Sequence, residues 1–170
     1  MPQLQHYEFY SSIEDYVYYF FKTSNGVIYE VSFRPTPYLF DSQFPFAEQV
    51  YESVIKVAEN PPNTSIPLDA KVKRTIAEIF YDFFSDKERI VVYICDTADL
   101  RHRARFCKFN AWFEEFSKNQ FVTVNAPITD PLHPLNLVYL NAIILHRNNP
   151  YFVEIIDAFR KVTGGYTEEK

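Results

Sequence analysis

Asp96, Asp99, Arg101, Arg105, Lys108 and Trp112 fall in one short stretch of the chain and bring together carboxylates, guanidinium groups, an amine and an indole. On a helix, Arg101, Arg105 and Lys108 stand at i, i+4 and i+7, so they form a basic stripe on one face, and Trp112 completes it one turn later. An arginine stripe beside an indole can hold a phosphate, a carboxylate or a stacked base. A purely structural account serves the same residues: Asp99 caps the helix, Asp96 pairs with an arginine, and the remaining charges make a solvated face.

What must position this stretch is a strand followed by a helix. Arg89-Ile-Val-Val-Tyr-Ile-Cys95 is a continuous apolar run of strand length, as expected of a central strand covered on both faces. A helix over about Ala98 to Ser117 then lines up Phe106, Phe109, Phe113 and Phe116. Asp96 and Asp99 therefore stand at the carboxyl end of the central strand, where helix N-termini offer free amides and a positive dipole.

Around this core the chain reads as strands first. Tyr16–Phe21 and Val27–Phe33 are β-rich runs joined by Thr23-Ser24-Asn25-Gly26, a strong hairpin signal, and Tyr7–Tyr10 adds a short edge strand. Arg34-Pro-Thr-Pro-Tyr-Leu-Phe40 and Phe44-Pro-Phe46 make a loop so rich in Pro and aromatics that it must pack against something. A third antiparallel strand is expected at about Val50–Ala58. Val72, Ile76, Ile79, Phe80, Phe83 and Phe84 recur at the spacing of one helical face, predicting a helix from about Leu68 to Ser85. Strands over Gln120–Val124 and Leu137–Leu145 precede a last helix with Asn149 as N-cap, Pro150 at N1 and a stop at Gly164-Gly165.

Composition narrows the function classes. Gly26, Gly164 and Gly165 are the three glycines, and none opens an internal helix after a strand, which excludes Walker-type and dinucleotide-fold phosphate loops. A net charge of −5 argues against general nucleic-acid binding and against anionic membranes, since both draw on a basic surface field. Met1–Tyr10 lacks a basic region followed by an apolar stretch, and no apolar run reaches spanning length, so a cytoplasmic protein without a membrane segment is expected. Cys95 and Cys107 read as buried thiols, and the scattered His6, His102, His133 and His146 show no ligand spacing, so no metal and no cofactor are expected. Tyr16, Tyr18, Tyr19 and Tyr29 could supply phenols to a cleft, although half-buried tyrosines are ordinary on an antiparallel sheet.

The 170 residues, 47% hydrophobic and 18% aromatic, are expected to fold as a single α+β domain. Its sheet is mixed and largely antiparallel, with about six or seven strands and three helices.

Ile94-Cys95-Asp96-x-x-Asp99-x-Arg101-x-x-x-Arg105, followed by Phe109-x-x-Trp112-Phe113 and preceded by Thr75-Ile-Ala-Glu-Ile79, resembles a family of small bacterial proteins of unknown function. That resemblance covers most of the chain and implies no activity. The order of elements is also similar to the C-terminal two-thirds of GNAT-type acetyltransferases. That resemblance implies an acyl-coenzyme A held between the strand ending near Ala58 and the strand ending near Cys95. Where that family has a glycine-bearing pyrophosphate loop, Asn60–Asp69 offers none, and its helix-borne Asn and general-acid Tyr would fall near Arg101 and Lys108. The expected function is thus a ligand- or partner-binding domain with an anion site at the end of the central strand. The alternatives are a divergent acyl-coenzyme A transferase or an interaction module using residues 35–46.

Overall fold

The computed structural model describes residues 6–61, 70–95, 115, 119–129 and 138–163. The strands are β1 (Phe9–Ile13), β2 (Val17–Lys22), β3 (Ile28–Pro35), β4 (Val50–Glu59), β5 (Ile90–Cys95), β6 (Phe121–Thr129) and β7 (Val138–His146). The two α-helices among the described residues are α1 (Ala70–Phe83) and α2 (Phe152–Thr163). The helix expected over 98–117 lies outside the described residues apart from Glu115, so two of the three expected helices are seen. The strands follow one another in the order β1-β2-β3-β4-β5-β7-β6. β1 pairs with β2, β2 with β3, β5 with β7 and β6 with β7 in antiparallel fashion, whereas β4 and β5 run parallel. Among the described residues the fold is α+β with a mixed, mostly antiparallel sheet of seven strands.

Contacts group the chain into two compact units, one made of residues 1–34 and 53–86, the other of residues 35–52 and 87–170. In the first, the Asn25-Gly26 signal does make a hairpin: Thr23 N donates to Val27 O at 2.8 Å and Gly26 N to Thr23 O at 3.0 Å, with Gly26 at a φ of 84°. A positive φ is cheap for glycine because it lacks a Cβ. The odd-numbered residues of β2 and β3 then share one face, on which Tyr19, Phe21, Tyr29, Val31 and Phe33 are all buried. They meet the predicted stripe of α1, where Val72, Ile76, Ile79, Phe80 and Phe83 are buried. Ring packing does the joining, with Phe33 stacked on Phe83 and Tyr19 edge-on to Phe33 at 5.9 Å. Each fully buried aromatic contributes about 1.5–3 kcal/mol over an exposed one.

In the second unit β5 lies between β4 and β7, with Ile90 opposite Leu145 and Val92 opposite Ile143. All four of these side chains are shielded from solvent, and α2 buries Ile155, Ala158 and Phe159 in the same cluster. The internal position predicted for the Arg89–Cys95 run is therefore the one observed. At the head of α2, Asn149 forms an Asx turn, its Oδ1 accepting from Tyr151 N at 2.8 Å while its Nδ2 donates to Glu88 O at 3.3 Å. Regular α-helix begins at Phe152, later than the sequence suggested, because this turn comes first.

Candidate functional site

The site predicted from sequence begins where β5 ends. Ile90, Val91 and Val92 are buried and Tyr93 is half-buried, so the strand is anchored in the sheet up to the point at which the charged stretch follows. Asp96, Asp99, Arg101, Arg105, Lys108 and Trp112 themselves lie outside the described residues. The parallel ladder beside β5 pairs Val50, Tyr51 and Glu52 with Ile90, Val91 and Val92, while the strands extend to Glu59 and Cys95. At the other end of β5, the Arg89 guanidinium lies 5.9 Å from the centroid of the Tyr51 ring.

Pro35–Phe46, the second candidate, divides into inward and outward side chains. Phe40 and Phe46 are buried in the cluster with Val50, Ile90 and Ile155, edge-on to each other at 5.2 Å. Tyr38 is 81% exposed and Phe44 40%, the latter stacked on Phe46 at 4.9 Å. Asp41 Oδ1 accepts from Gln43 N at 2.9 Å, and Thr36 N donates to Val50 O at 2.8 Å, so backbone and side-chain bonds hold the loop in place. An aromatic pair held out on an anchored loop is suited to contact with a partner, because little conformational entropy is lost on binding.

The tyrosines of the hairpin take structural roles. Tyr19 is buried and its hydroxyl donates to Asp82 Oδ2 at 2.8 Å, while Tyr29 stacks on Phe21. On the opposite face Tyr16, Tyr18 and Phe20 form a ladder of edge-to-face rings, with the Arg34 guanidinium 5.2 Å from the Tyr16 centroid. The Tyr18 phenol is shifted upward: the Ser12 hydroxyl pulls it down, but burial, Glu14 and Tyr16 together push it up. Among the described residues no group of three or more His, Cys, Asp or Glu side chains could hold a metal ion. None of the described helices is long and apolar enough to cross a membrane.

Sequence reasoning did not find the polar clasp around Tyr7. Its N–H donates to Thr75 Oγ1 at 2.8 Å, Thr75 in turn donates to Lys71 O at 2.7 Å, and the Lys71 ammonium sits 4.3 Å from the Tyr7 ring centroid. A threonine inside an apolar helical stripe was the available signal, since a buried hydroxyl needs a partner.

The chain is α+β with a mixed sheet whose internal strand β5 is buried from Ile90 to Val92 and leads toward a charged stretch of sequence, and such a fold carries no activity by itself. The chain belongs to the family of unknown function DUF6169, whose model matches residues 68–161, more than half of its length. The match spans α1, β5, β6, β7 and most of α2, together with the charged segment after Cys95. No curated protein and no solved structure matches the sequence.

Proposed function

We propose that the chain is a ligand-binding domain that takes a small anion at the carboxyl end of β5. Arg101, Arg105 and Lys108 contact the anion, Asp96 and Asp99 orient those cations, and Trp112 offers a stacking surface. The observation that carries this reading is the internal position of β5 beside a parallel β4. Ligands in sheets with parallel strands bind beyond the carboxyl ends of those strands, and the sequence places its densest charge immediately after Cys95. The test is a pair of thermal denaturation curves for the parent and for Arg101→Gln/Arg105→Gln, with and without phosphate. Phosphate is expected to raise the midpoint of the parent and leave that of the variant unmoved, because a ligand that binds only the folded state stabilises it. Equal responses refute the anion site.

The same strand end supports a second reading as a divergent acyl-coenzyme A transferase, favoured by the parallel β4–β5 ladder, which sends the two strands toward the same end of the sheet. Asn60–Asp69 has no glycine to cradle a pyrophosphate, so binding of acetyl-coenzyme A is expected to be absent by calorimetry. Micromolar affinity would reverse the order of the two readings. A protein-interaction role for residues 35–46 is favoured by Tyr38 and Phe44, which stand out from an anchored loop.

A further inference from the structure

The strand order ends at β1 on one side and β6 on the other, among the described residues. These two edges are built differently. β6 carries Pro127, which removes a main-chain donor and blunts an edge against pairing. β1, Phe-Tyr-Ser-Ser-Ile, has no proline and no charge within it, and Tyr10 and Ile13 are 65% and 77% exposed.

The ladder shows which amides face outward. Thr23 N donates to Val27 O, so Thr23 and Val27 are a hydrogen-bonded pair, and by alternation Phe21–Tyr29 and Tyr19–Val31 are too. The even-numbered residues of β2 therefore bond toward β1, where Phe20 faces Tyr10 and Tyr18 faces Ser12. Glu14 N donating to Tyr16 O at 3.3 Å continues the same alternation. The main-chain groups of Phe9, Ser11 and Ile13 consequently point away from β2, onto the edge.

Charge decides what fits there. Glu8 and Glu14 flank β1 and are exposed, Glu8 accepting from the Tyr10 hydroxyl at 3.3 Å and Glu14 standing beside Tyr18. Both belong to the face that carries Tyr10 and Ser12. Antiparallel pairing of β1 with a second copy, centred on Ser11, sets Glu8 opposite Glu14 at both ends, and like charges directly opposed are destabilising. A strand with a cation at each end meets carboxylates instead.

We propose that the edge of β1 takes up an extended segment of a protein partner, with basic residues six positions apart facing Glu8 and Glu14. Main-chain bonds to Phe9, Ser11 and Ile13 supply the affinity, and the two carboxylates select the partner's flanks. A heptapeptide probe follows from the geometry: acetyl-Lys-Val-Thr-Val-Thr-Val-Lys-amide. Its lysines face Glu8 and Glu14, its threonines Tyr10 and Ser12, and its valines Phe9, Ser11 and Ile13, in either strand direction.

Titration of the full chain with this peptide, followed by amide hydrogen exchange, is expected to show binding and slowed exchange at Phe9, Ser11 and Ile13. A peptide with glutamates in place of the lysines is expected to bind at least about fivefold more weakly, two cross-strand ion pairs being exchanged for two repulsions. Ser11→Pro removes an outward N–H and breaks no main-chain bond to β2, so it is expected to abolish binding with the fold retained. Should that variant fail to fold, Glu8→Lys/Glu14→Lys leaves the main chain intact and is expected to invert the preference between the two peptides. Absence of binding, protection confined to other strands, or equal affinity for both peptides overturns the proposal. So does a dimer in sedimentation that Ser11→Pro dissociates, since the edge would then serve a second copy.

Discussion

Phe33 and Phe83 stack face to face with centroids 3.8 Å apart and planes 7° from parallel, and neither ring touches solvent. One comes from the C-terminal half of β3 and the other from the last turn of α1, so this contact joins elements far apart in sequence. Phe80 adds an edge-on ring 5.3 Å from Phe33. Phe33→Ala and Phe83→Ala are each expected to lower unfolding stability by about 3–5 kcal/mol, through lost burial and a residual cavity. Because the two rings are each other's neighbours, the double variant should cost less than the sum of the singles by about 0.5–1.5 kcal/mol. Urea denaturation of the four proteins measures this, and strict additivity would show that the stack contributes nothing of its own.

Residues 35–46 divide their aromatics between the core and the surface, and the two sets should respond to substitution in opposite ways. Phe40 and Phe46 are buried against Val50, Ile90 and Ile155, so Phe46→Ala is expected to cost about 3–5 kcal/mol. Tyr38→Ser, at a side chain 81% exposed, should stay within about 0.5 kcal/mol of the parent. If the loop is a contact surface, Tyr38→Ser lowers affinity for a partner at unchanged stability, whereas Phe44→Ser also loses the stack on Phe46 and lowers both. A large loss of stability in Tyr38→Ser would mean instead that this side chain serves the fold.

Local periodicity made much of this architecture readable. The apolar run Ile90–Ile94 read as a covered strand by its length, and the stripe from Val72 to Phe84 as one face of a helix by its spacing. Asn25-Gly26 between β-rich runs set a hairpin whose Gly26 indeed needs a positive φ. Three features carried no such period. Nothing near Val50 or Ile90 says that these two strands lie side by side and parallel, since neighbour choice is a long-range property. The loop from Pro35 to Phe46 has no repeat from which to tell Phe40 and Phe46, which face inward, from Tyr38 and Phe44, which do not. Ser11 and Ser12 dilute the β signal of an edge strand, which occupies Phe9–Ile13 where the pattern suggested Tyr7–Tyr10. For the candidate site, the sequence supplied the residues and the structure supplies the internal strand that leads to them.

His146 couples the second unit to pH with a definite sign. It closes β7, its ring standing edge-on to Phe121 at 5.5 Å, and its Nδ1 accepts from Asn148 N at 3.0 Å. That bond requires a lone pair on Nδ1, so the neutral ring carries its proton on Nε2, and protonation of Nδ1 abolishes the acceptor. Burial and then the charge of Lys87 lower the His146 pKa from its ordinary 6.5. The folded state therefore favours the neutral ring, whereas the unfolded chain takes up the proton near pH 6.5. The resulting stabilisation is complete above that value and is lost as pH falls through it toward the lower folded pKa. Below the folded pKa both states are protonated and no further loss arises from this group. Urea midpoints of the parent and of His146→Gln across this range should show the parent losing ground to the variant as pH falls below 6.5. The imidazole resonances of the folded parent should titrate with a midpoint below the same value. A constant gap between the two stability curves, together with a midpoint at or above 6.5, would remove His146 as the origin of any acid sensitivity in this unit.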